Sequence, residues 1–100
     1  MSTTFKIRSL LRTHRRALET MLAMNASAEV HPVQRRILDG LDAEARRYLA
    51  RIAKHEANPI DAPFGTMGTF GPNGCAPAIR DICRQAEFHR IAGAKQRKAA

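Results

Sequence analysis

The stretch Ile7-Arg8-Ser9-Leu10-Leu11-Arg12-Thr13-His14-Arg15-Arg16-Ala17-Leu18-Glu19-Thr20-Met21-Leu22 decides the fold. Its apolar members Ile7, Leu10, Leu11, Ala17, Leu18, Met21 and Leu22 recur at three- and four-residue steps, with His14 at the boundary of the same face. That spacing lines up one side of an α-helix and lacks the alternation a half-buried strand requires. Arg8, Arg12, Arg15 and Glu19 form the opposite stripe, with Lys6 and Arg16 on its flanks. Thr3 or Thr4 can cap the start, so the spacing predicts a helix over residues 4–25. Cations near the start of a helix oppose its dipole by about 0.3–1 kcal/mol each. Folding alone would not select them there.

Working outward, Asn25 to Val30 reads as a polar link, and Pro32 sits where a first helical residue has no N–H to lose. Val33, Ile37, Leu38, Leu41, Ala45, Tyr48, Leu49 and Ile52 then predict a second helix over 32–57, stopped by Pro59. Gly40 is its weak point, because a glycine in a helix interior costs about 1 kcal/mol against alanine. The pattern favours continuity, the alternative being a break with Asp42 capping a second piece. Asp42 and Arg46 are spaced to pair on the solvent side of this helix.

Four of the five prolines and four of the six glycines fall between Pro59 and Pro77, so residues 58–76 read as a long loop. Ile60, Phe64, Met67 and Phe70 interleave with the glycines. These make it an apolar loop strapped onto the core, with Phe64, Met67 and Phe70 as candidate partner contacts in the alternative reading. Pro77 opens a third helix over about 77–94, with Ile79, Ile82, Cys83, Ala86, Phe88, Ile91 and Ala92 as its apolar set. Gly93 marks fraying into a mobile basic tail, 95–100. The expected architecture is all-α: one small helical domain, residues 1–100, of about three helices, with a Gly/Pro-rich apolar loop between the second and third.

Charge bounds the partners. The 100 residues hold 17 Lys and Arg against 9 Asp and Glu, a formal net charge of +8. Residues 1–25 and 79–100 each carry net +4, whereas 26–57 carry +1 and 58–78 carry −1. The excess lies in the first and third helices, and such a surface favours polyanions. Candidate binding residues are therefore Arg8, Arg12, Arg15 and Arg16 in the first helix, and Arg84, Arg90, Lys95, Arg97 and Lys98 in the third. Glu19 is the sole acid among residues 1–25, so intrahelical neutralisation is sparse. Trp is absent and aromatics are few, which argues against base stacking and for contact with a backbone or a shaped surface.

Other classes find little support. The sequence has no Gly-rich phosphate loop followed by Lys and Ser or Thr, no H-E-x-x-H and no nucleophile elbow, so no enzyme and no cofactor are expected. Cys75, Cys83, His31, His55 and His89 lack the close paired spacing of a structural zinc site, and no metal is expected. Cys75 and Cys83 read as free thiols, because a helix would hold them about 12 Å apart. Arg36 and Arg46 occupy positions around Gly40 where a helix-turn-helix wants a small and an apolar residue. No apolar run can span a bilayer, the N-terminus lacks a signal-peptide core, and a cytoplasmic location is expected.

Two functional expectations follow. The first is a non-enzymatic regulatory or accessory protein docking on nucleic acid or a nucleoprotein complex. The alternative is a small phage- or plasmid-encoded inhibitor that blocks a host machine, such as a nucleic-acid-handling or defence complex or a transcriptional activator, through an acidic surface of that protein. The sequence leaves the oligomeric state open and gives no support to a membrane partner.

Overall fold

The computed structural model describes residues 3–57 and 75–99, with side chains from 9 to 57 and from 77 to 98. The described residues form three helices, α1 (Thr3–Ser27), α2 (Pro32–Ala57) and α3 (Cys75–Ala99), and no strand. The expected all-α class is the one observed. Phe64, Met67 and Phe70, where the sequence predicts a loop, lie outside the described residues.

All three helices pack on one another through a heptad-like seam. On α1 it is Leu11, His14, Leu18, Met21 and Asn25, all buried. On α2 the buried seam residues are Gln34, Leu38, Leu41, Ala45 and Ile52, with half-buried Tyr48 filling the missing step and Asp42 buried on the flank. On α3 it is Ile79, Ile82 and Ala86, then half-buried His89 and buried Gly93. Alternating steps of three and four average 3.5 residues, the repeat that keeps one seam facing its partners in a coiled-coil-like bundle. Each fully buried Leu or Ile in it, such as Leu11, Leu18, Leu38 and Ile52, contributes about 1.5–3 kcal/mol. The wider apolar faces read from sequence are only partly buried. Val33 is 54% exposed and Phe88 65%, because the seam claims a narrower stripe than a 3.6-residue face.

Side-chain pairs fix the direction of each helix. Arg15 meets Glu56 and Asn25 meets Asp42, so α1 and α2 are antiparallel, as their four-residue connection demands. Cys83 lies on Ala17 and Arg90 on Asn25, so α3 runs alongside α1 in the same direction.

The α1–α2 connection is heavily bonded. His31 caps α2: its carbonyl accepts the Arg35 N–H at 3.0 Å and its Nδ1 accepts the Val33 N–H at 3.2 Å. Arg35 turns back and donates to the carbonyl of Asn25 at 2.9 Å and to that of Ala28. A cation thus closes the negative end of α1, where carbonyls lack helical partners. The His31 N–H donates to the Gly93 carbonyl at 3.1 Å and ties α3 to the same corner.

Helix α2 runs unbroken past Gly40, the continuity its pattern favours, and Gly40 is exposed with nothing within 4 Å of where a Cβ would stand. Two features differ from the sequence reading. Helix α3 does not fray at Gly93. It continues to Ala99 because Ala94 to Lys98 are good helix formers, and Arg97 and Lys98 in the last turn complement its dipole. Gly93 itself is a close-approach site, where a Cβ would stand 2.6 Å from Val30 Cβ and 2.8 Å from Gln34 Cβ. Asp42 is not on the solvent side with Arg46 but is buried against Asn25.

Candidate functional site

Residues 1–25 and 79–100, which hold the charge excess, supply most of α1 and α3, and these helices lie side by side. Their cations fall into two groups. Arg12 and Arg16 on α1 and Arg84, Lys95 and Lys98 on α3 are exposed, and none of them makes an ion pair among the described residues. Arg15, Arg90 and Arg97 hold the bundle together. Arg15 Nη1 lies 2.6 Å from Glu56 Oε2, and its Nε lies 3.4 Å from Glu19 Oε1. The α1 stripe is therefore neutralised in part, by an acid from α2 that no reading of residues 1–25 alone could reveal. Arg90 Nη1 donates to Asn25 Oδ1 at 2.6 Å, and Arg97 pairs with Glu29 beyond the end of α1. Arg8 lies on α1, and its side chain is outside the described set.

The structure also redistributes the charge of α2. Asp42 and Glu56 turn toward α1, one buried against Asn25 and the other paired with Arg15. The exposed surface of α2 keeps Arg36, Arg46, Arg47 and Lys54 beside the exposed acids Asp39 and Glu44. A helix that is nearly balanced in sequence thus adds cations to the surface. The signal that could have shown this is the heptad register, which sets Asp42 and Glu56 on the flank facing α1.

Between α1 and α3 runs an open groove lined by Ala17, Thr20, Met21, Met24, Cys83, Glu87, Arg90 and Ile91. Its floor is mostly apolar. Met24 is 49% exposed and Ile91 52%, and the Cys83 Sγ rests 3.9 Å from the Ala17 carbonyl. Burial pushes the Cys83 thiol above its ordinary range, against a smaller opposing pull from Arg90, so it stays protonated and chemically quiet at neutral pH. It carries no disulfide, and its eight-residue separation from Cys75 along α3, about 12 Å, excludes a bridge between them.

Neither a family model nor a curated protein nor a solved structure matches this chain. Among the described residues no three His, Cys, Asp or Glu side chains converge as a metal would need, and no helix is long and apolar enough to cross a membrane. Burial, reinforced by the Arg80 charge, holds His14 below the ordinary histidine range, which favours a neutral imidazole in the core. What the α1–α3 side presents chemically is guanidinium and ammonium donors around an apolar trough.

Proposed function

We propose that the protein is a non-enzymatic regulatory or accessory factor that docks on nucleic acid or a nucleoprotein complex through α1 and α3. The observation that carries this reading is the parallel, adjacent course of these helices, which puts Arg12, Arg16, Arg84, Lys95 and Lys98, none of them in an ion pair among the described residues, on neighbouring elements of one body. Arginine and lysine on neighbouring helices can follow successive phosphates, and their planar or pointed donors suit phosphate oxygens without reading base edges. Sequence-tolerant contact with a duplex or a structured RNA fits the scarcity of aromatic residues.

The test is binding of a labelled duplex by fluorescence anisotropy across a salt series, comparing the wild-type chain with Arg12→Gln/Arg16→Gln/Arg84→Gln. Steep salt dependence, reduced in the variant, is expected. Salt-insensitive or unchanged binding would remove this reading.

A second reading is favoured by the apolar trough: a small inhibitor that occupies the surface of a host protein. Copurification with and without nuclease separates the two. A stoichiometric protein partner that survives nuclease supports inhibition, and partners lost on nuclease treatment support the nucleoprotein.

A further inference from the structure

The nucleic-acid reading uses the cations and leaves the trough between α1 and α3 unexplained. Phosphates have no use for a floor of Met24, Cys83 and Ile91. We propose that this groove is a docking site for an acidic amphipathic α-helix of a protein partner, with acids at both ends of its apolar stripe and none at the centre.

The groove selects a helix for two reasons. Its walls are two helices whose backbone groups are already bonded within themselves, so an extended peptide finds no sheet edge to pair with. Cys83 to Ile91 covers about 12 Å of α3, roughly two turns, which matches the reach of anchors at i, i+4 and i+7 on a partner helix. Methionine and cysteine suit this role, because soft, unbranched side chains adapt to the anchors they receive.

Charge complementarity sets the sign. On α3, Lys95 follows Ile91 by four residues and continues the groove's own stripe beyond its C-terminal end, while Arg84 follows Cys83 by one residue at the other end. Arg16 stands four residues before Thr20 on α1. All three cations are exposed and make no ion pair among the described residues. Glu87 lines the middle and disfavours an acid there, while the Arg90 guanidinium next to it is engaged by Asn25 Oδ1. A second copy of this chain is a poor occupant, since its own α1–α3 face would bring the same cations against Arg84 and Lys95. Residues 58–74 hold a single acid, Asp61, among four glycines and three prolines, and cannot supply an acidic helix.

The proposal goes beyond the nucleic-acid reading and does not depend on it, because its test alters the apolar floor and leaves every cation in place. The probe is a synthetic labelled helix of about 20 residues, long enough to be helical alone, with Leu at i, i+4 and i+7 and Glu at both ends of that stripe. Its counterpart carries Lys in place of Glu. The full-length protein is expected to bind the Glu helix and not the Lys helix. Met24→Glu with Ile91→Glu is expected to weaken binding by about tenfold or more. Both positions are half exposed, so helicity by circular dichroism should hold. Met24→Ala with Ile91→Ala, which adds no charge, should weaken binding in the same direction and serves if the first pair fails to fold. Phe88→Glu, away from the groove lining, should leave peptide binding unchanged. Equal binding of the two helices, no binding of the Glu helix, or indifference to both floor variants overturns the proposal. So does a floor variant that loses duplex binding instead, which would make the trough part of a nucleic-acid surface. A concentration-dependent dimer dissolved by the same variants would show a second copy in the groove and likewise overturn it.

Discussion

Asn25 on α1 and Asp42 on α2 meet side chain to side chain in the interior, Nδ2 donating to Oδ1 over 2.7 Å, with Asn25 fully buried. The Asn25 amide works in both directions, since its Oδ1 accepts from Arg90 on α3 at 2.6 Å. One amide therefore relays between a carboxylate and a guanidinium on different helices, and the backbone carbonyl of Asn25 takes a further bond from Arg35. A buried polar residue at one seam position of a helical bundle fixes register, because sliding any helix by a turn would strand these groups without partners.

Removing the amide should therefore be expensive. Asn25→Leu leaves Asp42 buried without its donor and is expected to destabilise by about 3 kcal/mol or more, read as a lower urea midpoint. Asp42→Leu alone should also destabilise. The double variant should cost less than the two changes added, with a coupling of about 0.5–3 kcal/mol. Strict additivity would mean that the two side chains do not interact.

Gly93 and Gly40 should respond with opposite signs to the same substitution. Gly40→Ala adds a methyl group in open space on an unbroken helix and is expected to stabilise by about 1 kcal/mol. Gly93→Ala gains the same helix propensity but forces a Cβ to within 2.6 Å of Val30 Cβ and 2.8 Å of Gln34 Cβ. Separating α3 from the α1–α2 corner to admit it should destabilise by about 1–3 kcal/mol and strain the His31 to Gly93 hydrogen bond. Thermal denaturation of the two variants beside wild type checks both signs.

Those two glycines also mark how far the sequence could be read. Periodicity and Pro32 were enough for three helices, because both are local signals. Gly93 reads as fraying since nothing near it in sequence reveals that Val30 and Gln34 press against it. Asn25 and Asp42 read as link and surface because polar residues usually are, and only the 3.5-residue register shared by three helices turns them inward. For the candidate site, the placement of charge in the first and third segments was legible. The partition of those cations was not, since Arg15, Arg90 and Arg97 are engaged by Glu56, Asn25 and Glu29, which stand 41, 65 and 68 residues away.

Stability should fall in mild acid through His14. Its folded pKa lies below the ordinary value of 6.5, chiefly from burial and secondarily from Arg80. The unfolded chain therefore binds the proton more readily than the folded one, and protonation favours unfolding. The contribution of the neutral imidazole is fully present above about pH 6.5, declines as pH falls below that value, and levels off once pH drops beneath the depressed folded pKa. Urea midpoints at successive pH values in wild type and His14→Leu test it. The variant should lose the dependence in this window, and an identical slope would assign it to another group.

The two classes of arginine on α1 should separate in a single experiment. Arg15→Glu places a third carboxylate beside Glu19 and Glu56 and should lower stability by about 1 kcal/mol, because two ion pairs become repulsions. Arg12→Glu and Arg16→Glu disturb no ion pair among the described residues and should leave the melting temperature unchanged. On a duplex the order reverses. Each exposed arginine that neutralises one phosphate releases condensed counterions, so its loss should reduce the log–log salt slope by about 0.9. Arg12→Glu/Arg16→Glu/Arg84→Glu should then weaken duplex binding steeply at low salt and far less at high salt, where wild-type binding has itself declined. Charge reversal adds repulsion to the lost contact, so Arg12→Gln/Arg16→Gln/Arg84→Gln is the cleaner measure of slope. A stable triple variant that binds the duplex with wild-type affinity and slope would show that these cations form a solvated face, and the groove would then stand as the only recognition element argued from α1 and α3.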